Sequence, residues 1–334
     1  MLTKKGLSPF SHQCAGHCIR HRVRVSSAGI YFRDDMIWDF FLNWLPPALQ
    51  RSLREVKQKI ALHRYMRNSS RAFSPGYFAF KRYLISQTLA DPELLQHFRS
   101  GSPLPAGYGK GLDERCVEYP WLFSQMDSRP EILLDAGSTL NQEYLLKQSL
   151  LHSKNLHILT LAPEQECFWQ RGISYIYGDL RDIPSKAELY DTIVCISTLE
   201  HIGCDNTEFT GKKEHPENAP KDFLRVMQEF YRLLKSGGRL LLTVPFGKYR
   251  HFGNQQQFDE ELLRDAISAF GRFASCETTF FRYSRDGWQF SEISACRDCE
   301  YVAWAAKRPI PRPVPVEPDL ATAARAVACL RLVK

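Results

Sequence analysis

The stretch Ile132-Leu-Leu-Asp-Ala-Gly-Ser-Thr139 is an apolar run that ends in an acid and a glycine. Three further segments follow it along the chain: Tyr177-Gly-Asp-Leu180, Tyr190-Asp-Thr-Ile-Val-Cys-Ile-Ser-Thr-Leu-Glu-His-Ile-Gly203 and Leu233-Leu-Lys-Ser-Gly-Gly-Arg-Leu-Leu-Leu-Thr-Val-Pro-Phe-Gly247. Each pattern predicts a buried strand, or a turn feeding one, with a polar residue or glycine at the strand's carboxyl end. Because open α/β sheets bind ligands at that edge, the four segments predict one shared ligand site.

The apolar pattern after residue 130 predicts strands that alternate with helices. Strands are predicted over 131–135, 156–161, 173–177, 190–197, 238–244, 273–283 and 325–333, and helices over 141–152, 163–171, 218–235 and 259–270. This alternation indicates a mainly parallel sheet with helices on both faces, that is, a doubly wound α/β domain over residues 112–334.

The preceding region, residues 33–111, is predicted to be mainly helical. Apolar residues at helical spacing indicate helices over 48–67 and 78–99, and a short helix is expected within Glu114–Phe123. The Gly-, Pro- and Ser-rich residues 100–111 read as a linker or surface loop. Residues 1–32 contain no Asp or Glu and form a basic extension. It is interpreted as a disordered tail, a transit-like segment or a start codon assigned too early, and these alternatives stay open.

The positive charge is concentrated at the amino end. Of a net charge of +7, residues 1–124 contribute +9, from 18 Lys and Arg against 9 Asp and Glu, and the remainder contributes −2, from 26 against 28. The basic third is either a solvated face or a patch for nucleic acid, an anionic membrane or a phosphate-bearing substrate.

Cysteine usage and hydropathy bear on compartment and metal content. The ten cysteines show no dense framework, so we expect free thiols in a reducing, cytoplasmic compartment. No apolar run reaches 18 residues, so no transmembrane segment is predicted. The cluster of His12, Cys14, His17, Cys18 and His21 lacks the usual zinc spacing, and no metal site is predicted.

Taken together and in this order, the four segments resemble the class I S-adenosylmethionine-dependent methyltransferases, in particular their broad type-11-like, small-molecule branch. The resemblance implies a Rossmann-like sheet of seven strands whose last strand runs antiparallel beside the fifth. That strand would be Ala326–Lys334, and residues 285–324 would be an insertion before it. S-adenosylmethionine is the implied cofactor.

The resemblance also assigns residues to the cofactor. The loop Asp135, Gly137, Ser138 and Thr139 would lie under its methionine part, with Thr139 at the place of a second family glycine. Thr160 stands where the family has an acid for the ribose hydroxyls, with Glu164 as the alternative. Gly178 and Asp179 would contact adenine, Leu180 would pack on the base, and Ser197 begins the segment beside the methyl group.

Transfer to a hydroxyl needs a base near the methyl group. His201 is the candidate, because an ordinary histidine has a pKa near neutrality, and the alternative is a structural role beside the cofactor. Glu200 would orient His201 or cap the following loop. The substrate contacts expected from the loops are Asp205, Tyr249 and His251.

Resemblance to bacterial enzymes of surface-polysaccharide and secondary pathways implies a small-molecule or sugar hydroxyl as the acceptor. Two alternatives are an RNA methyltransferase that uses the basic first third and a degenerate domain that acts by cofactor binding or interaction. No recognisable RNA-binding module accompanies the first of these, and Thr139 and Thr160 motivate the second. The sequence does not specify an oligomeric state.

Overall fold

The computed structural model describes residues 46–67, 71–211, 217–307 and 309–334, and one large sheet forms the centre of these ranges. Eight strands build it: β1 (Glu131–Ala136), β2 (Lys154–Thr160), β3 (Ser174–Tyr177), β4 (Tyr190–Ile196), β5 (Leu234–Pro245), β8 (Ser275–Ser284), β9 (Gly287–Ser291) and β10 (Ala326–Val333). Two very short strands, β6 (Arg250–His251) and β7 (Gln256–Gln257), pair separately.

The strand order is β3-β2-β1-β4-β5-β10-β8-β9. Strands β1 to β5 pair in parallel, and β10 runs antiparallel between β5 and β8. The order reverses between β1 and β4, which creates a crevice outside their carboxyl ends. The doubly wound sheet and the antiparallel strand beside β5 are therefore confirmed.

The sheet has eight strands in place of the predicted seven. The additional strand, β9, lies inside the segment predicted as an insertion and pairs antiparallel with β8 across a two-residue turn. It forms because its side chains have apolar partners: Trp288 is fully buried, and Phe290 packs 4.5 Å from Phe281, measured between ring centroids.

Helices cover both faces of the sheet. They are α1 (Pro47–Arg67), α2 (Tyr77–Ala90), α3 (Pro92–Ser100), α4 (Arg115–Gln125), α5 (Glu143–Leu146), α6 (Ser149–His152), α7 (Thr207–Thr210), α8 (Phe223–Leu233), α9 (Glu260–Phe270) and α10 (Ile293–Cys296). One apolar core joins one face of the sheet to residues of α1 to α6, and a second joins the other face to α8 and α9. The described amino-terminal helices thus share a core with the sheet, and a domain boundary between residues 111 and 112 stays a prediction.

Three predicted helices differ from those observed, and one of them, over 141–152, is divided into α5 and α6. The prediction over 163–171 is wrong apart from a 3-10 turn at Trp169–Arg171, because this segment has no apolar face to bury and Trp169 is 66% exposed. The helix predicted over 78–99 is divided between α2 and α3. Asp91 accepts hydrogen bonds from the backbone N–H groups of Glu93 and Leu94, and Pro92 starts the new helix.

The predicted linker before α4 is bound to the sheet edge. Leu104 is buried, and its backbone N–H and carbonyl pair with the Gln289 side chain on β9, both at 2.9 Å. The backbone N–H of Trp288 donates to the Tyr108 carbonyl at 2.8 Å. These bonds position the start of α4 relative to the sheet.

Candidate active site

The loop after β1 is built around a buried carboxylate. Asp135 is fully buried and accepts hydrogen bonds from the backbone N–H of Leu140 at 2.8 Å and from the N–H and hydroxyl of Thr139 at 3.2 and 3.1 Å. Burial outweighs these bonds and raises the pKa of Asp135 to about 7. Thr139, at the place of the second family glycine, therefore holds this loop closed by its hydrogen bonds to Asp135.

Gly137 and Ser138 turn the chain at the mouth of the crevice. Gly137 has φ +118°, and a Cβ there would lie 2.3 Å from the Thr198 hydroxyl oxygen, so only glycine fits between β1 and β4. Ser138 has φ +60°. Its buried Oγ has no hydrogen-bond partner among the described residues.

The ends of β2 and β3 meet beside this loop. The N–H of Gly137 donates to the Leu159 carbonyl at 2.9 Å, and the N–H of Gly178 donates to the Thr160 carbonyl at 3.0 Å. The Thr160 hydroxyl donates to the Ala162 carbonyl at 3.0 Å, so towards a ligand it retains acceptor capacity alone. The charge of Glu164 contributes slightly to the raised pKa of Asp135.

Asp179 is paired with an arginine, and Leu180 is buried. The Arg181 guanidinium binds Asp179, with Nη2 2.6 Å from Oδ2, and also pairs with Glu217 and Asp222. Burial opposes the ionised form of Asp179, but the Arg181 hydrogen bonds prevail and lower its pKa. Leu180 is 6% exposed and packs in the core with α8 and α9, because a leucine gains more by burial there than on an open surface.

The end of β4 is held by α4, the helix predicted before β1. Ser197, at φ +38°, donates its hydroxyl to Oε1 of Glu118 at 2.5 Å, and Thr243 on β5 donates to the same oxygen at 2.6 Å. Arg115 binds the other Glu118 oxygen at 2.9 Å and the Ile196 carbonyl at 3.2 Å. The Ser197 hydroxyl thus donates its proton to Glu118, and towards a ligand it retains only acceptor capacity.

Sequence reasoning missed Arg115 and Glu118. The available signal was Glu118 itself, a lone acid within the otherwise apolar run Cys116–Phe123. Its side chain is 0% exposed, and a carboxylate so buried needs charged or hydrogen-bonding partners. Tyr119, the next residue, donates its hydroxyl to the Thr139 carbonyl at 2.9 Å, which ties α4 to the β1 loop as well.

His201 lies on the 3-10 helix Leu199–His201, directly after β4. Its Nδ1 is 2.7 Å from the carbonyl oxygen of Asn254, and its ring packs edge-on against Phe209 at 5.6 Å. A carbonyl can only accept a hydrogen bond, so Nδ1 carries a proton, and in the neutral ring the basic lone pair lies on Nε2.

The observed partner of His201 Nδ1 is the Asn254 carbonyl, and the orienting role expected for Glu200 stays a prediction. Glu200 is 3% exposed, and its Oε2 has no hydrogen-bond partner within the described ranges. Burial raises its pKa well above the usual range. It is a buried acid on the 3-10 helix directly after β4.

The three expected substrate residues lie on two neighbouring loops. Asp205 caps a turn by accepting from the N–H of Thr207 at 3.0 Å, and its own N–H donates to the Gly253 carbonyl at 2.8 Å. His251 Nε2 is 3.5 Å from the Cys204 sulfur. Tyr249 is 46% exposed at the start of the same loop. The hairpin of β6 and β7 therefore packs against the residues that follow His201.

No group of three His, Cys, Asp or Glu residues in the part of the chain that the structure describes has metal-binding geometry. The amino-terminal His and Cys cluster lies outside the described residues.

The crevice contains two glycine turns, an unsatisfied serine hydroxyl, buried acids and an oriented imidazole at the carboxyl ends of β1 to β4. These groups can form hydrogen bonds with a polar ligand, and the imidazole can accept a proton.

Part of the chain matches a known protein family. Residues 136–242 match the model of a methyltransferase domain. No curated protein matches the chain. One similar solved structure is the 1,6-didemethyltoxoflavin-N1-methyltransferase of Burkholderia thailandensis, with 15% identity, coverage of 80% of this chain and 92% of that chain, and a TM-score of 0.38. A SAM-dependent methyltransferase of Thermotoga maritima has 12% identity, coverage of 75% and 99%, and a TM-score of 0.36. The [4+2]-cyclase SpnF has 15% identity, coverage of 79% and 97%, and a TM-score of 0.40.

The matched residues run from the end of β1 to β5, so they include all four loops of the crevice. The sheet around them has the order and the antiparallel strand that the resemblance implied. Residues 136–242 thus match a methyltransferase domain, and they lie in a sheet with the topology expected of the class I S-adenosylmethionine-dependent methyltransferases, whose cofactor is S-adenosylmethionine.

Proposed function

We propose that this methyltransferase acts on a hydroxyl group of a small molecule or sugar and that His201 removes the hydroxyl proton. The observation that carries the proposal is the contact between His201 Nδ1 and the Asn254 carbonyl at 2.7 Å. It fixes the tautomer with a basic Nε2, which is the form that a general base needs. When bound, the cofactor supplies an electrophilic methyl group on a sulfonium sulfur.

The residues of the crevice fit this cofactor. We propose that Gly137 and Ser138 contact it directly, the glycine through its close backbone approach and the serine through its buried, unsatisfied hydroxyl. Asp135 and Thr139 support them from behind by fixing the loop. A polar ligand at this place would satisfy a group that otherwise costs about 1–3 kcal/mol to bury.

The remaining cofactor contacts are proposed at the ends of β2, β3 and β4. Thr160 would accept from a ribose hydroxyl, with Glu164 nearby as a second acceptor. Gly178 and Asp179 would contact the base, Asp179 through the lone pairs that Arg181 leaves available. Leu180 would support this turn from the core, and Ser197 would offer its backbone beside the methyl group.

The acceptor is proposed to bind between the β4 loop and the β6–β7 hairpin. Asp205, Tyr249 and His251 lie on these two segments, and His201 is anchored between them by Asn254. We place the reaction in a reducing, cytoplasmic compartment. This agrees with the free thiols of all cysteines within the described ranges.

The test combines a binding measurement with an acceptor panel. Calorimetric titration with S-adenosylmethionine and S-adenosylhomocysteine measures cofactor affinity, and release of S-adenosylhomocysteine reports turnover on sugars, sugar nucleotides, phenols and amines. His201→Ala should lower turnover by about 10²–10⁴-fold with little change in cofactor affinity. His152→Ala, on an exposed position of α6, is the matched control and should change neither.

Turnover on amines alone, or unchanged turnover of His201→Ala on a hydroxyl acceptor, would exclude the proposed base. Salt-sensitive methylation of RNA would favour the basic first third as a nucleic-acid platform.

A further inference from the structure

Helix α1 is attached to the rest of the protein along one face. Tyr65 is 4% exposed and packs against the rings of Tyr77 and Phe80, with centroids 6.2 and 5.3 Å away. Backbone packing at the turn before α2 is equally close, because a Cβ on Gly76 would lie 2.3 Å from the Ala61 carbonyl oxygen. These contacts fix the rotation of the helix about its axis.

The face of α1 that points away from these contacts carries apolar side chains. Leu49, Val56 and Ile60 are 46%, 52% and 49% exposed. Their spacing of seven and four residues places them on one side of the helix, and we call them the α1 stripe. A solvated helix normally shows polar residues on such a face, so a continuous exposed stripe indicates a surface that becomes covered.

Basic residues border the α1 stripe. The sequence of α1 contains six Lys and Arg and a single Glu. Lys59, His63, Arg64 and Arg67 are exposed and line, together with Ile60, one shallow depression on the surface. An apolar stripe flanked by cationic side chains complements a membrane surface that exposes anionic headgroups above acyl chains.

The sequence directly before α1 has a matching composition. Residues 36–45 include Trp38, Phe40, Phe41 and Trp44, which are residue types that favour the boundary between headgroups and acyl chains. No helix in the described ranges is long and apolar enough to cross a membrane. The chemistry is therefore that of a helix that lies on a bilayer.

We propose that α1 docks this enzyme on an anionic membrane surface, with the α1 stripe in the acyl boundary and the flanking Lys and Arg residues on the headgroups. RNA is the weaker occupant, because phosphates would use the basic residues but leave the α1 stripe in water. A second copy is also weaker, because two strongly basic helices would repel each other face to face.

The test is flotation of the full-length protein with vesicles. One set is neutral phosphatidylcholine and the other contains about one third phosphatidylglycerol. We expect binding to the anionic set to exceed binding to the neutral set by at least about ten-fold. The double variants Val56→Ser/Ile60→Ser and Lys59→Gln/Arg64→Gln should each weaken it by roughly ten-fold or more.

The matched control is Phe273→Ser/Val316→Ser, which removes two exposed apolar side chains outside α1, at 42% and 53% exposure. It should bind vesicles like the wild type, and all variants should retain cofactor affinity, which shows that they fold. Three results would overturn the proposal. The first is a wild type that shows no preference for anionic vesicles. The others are a protein that does not bind vesicles and either binds RNA even as Val56→Ser/Ile60→Ser, or forms a dimer that this variant dissociates.

Discussion

At the scale of single residues, the site depends on positions where backbone geometry and burial leave little choice. Gly137 is the clearest, because both its φ of +118° and the neighbouring Thr198 exclude a side chain. Its role was predictable from the sequence, since a glycine after an apolar strand commonly marks a close backbone approach. The role of Thr139 was not predictable, because a hydrogen bond from its hydroxyl to Asp135 has no recognisable pattern in the sequence.

Gly137→Ala should abolish cofactor binding. The added Cβ meets Thr198 at 2.3 Å and forces the β1 loop away from the crevice, so cofactor affinity should fall by more than about 100-fold in calorimetry. Gly101→Ala is the matched control, because Gly101 also has a positive φ, +71°, but has nothing within 4 Å of the new Cβ. It should lose about 1 kcal/mol of stability and no affinity. Equal affinity in both variants would remove Gly137 from the site.

The raised pKa of Asp135 predicts a pH dependence of stability. The folded carboxyl titrates near pH 7 and the unfolded one near about 4, so the folded state holds the proton more tightly between these values. Stability from this group is complete below about pH 4, declines as the pH rises towards 7 and is level above. The loss is up to about 4 kcal/mol.

Urea unfolding from about pH 4.5 to 7.5 measures this loss as the difference between the wild type and Asp135→Asn. As the pH rises, the free energy of unfolding of the wild type should fall relative to that of the variant. A wild-type stability that rises relative to the variant over this window would contradict the assignment of a buried, neutral Asp135.

At the scale of elements, α4 couples the strands that form the crevice. Glu118 joins Ser197 after β4, Thr243 on β5 and Arg115 on its own helix, while Tyr119 reaches the β1 loop. The sequence predicted a helix here because its apolar residues demand burial. It did not reveal the network, because the partners of Glu118 are 79 and 125 residues away.

Glu118→Gln should destabilise the protein by about 3 kcal/mol, because it removes the charge that pairs with the Arg115 guanidinium. Loss of the fixed Ser197 should also weaken cofactor binding. Glu143→Gln is the control: its pair with Lys147 is exposed on both sides, 54% and 61%, and should contribute below about 1 kcal/mol. Chemical denaturation measures both, and similar losses in the two variants would contradict a special role for the α4 network.

Most predicted elements with an apolar face were confirmed, whereas a helix predicted without such a face was wrong. The strands of the sheet were predicted within a few residues, since each is an apolar run bounded by turn residues. The helix over 163–171 was wrong, because propensity without an apolar face does not hold a short helix. Strand β9 was missed because aromatic residues after a turn are equally compatible with a loop. Only the structure shows that Phe290 of β9 packs against the rings of Phe98 and Phe281.

At the scale of the whole molecule, the cofactor site is assembled from the ends of four strands that are distant in the sequence. Alternation of strands and helices predicted that these ends meet, because parallel strands share one carboxyl edge. It did not predict how the loops fill that edge. The commitment of Asp179 to Arg181 and of Ser197 to Glu118 depends on side chains brought in from α4 and from the region around α8.

Because these strand ends belong to both apolar cores, occupation of the crevice should stabilise the entire fold. A ligand that binds the native state alone adds about 2.7 kcal/mol at a concentration of 100 times its dissociation constant. S-adenosylhomocysteine should therefore raise the thermal unfolding midpoint of the wild type and of His201→Ala to the same extent, and leave Gly137→Ala unchanged. Equal shifts in all three proteins would place the ligand outside the crevice. An unchanged unfolding midpoint in the wild type, with a cooperative transition, would mean that the crevice does not bind the cofactor. Thr139 and Thr160 would then serve only to hold their loops in place.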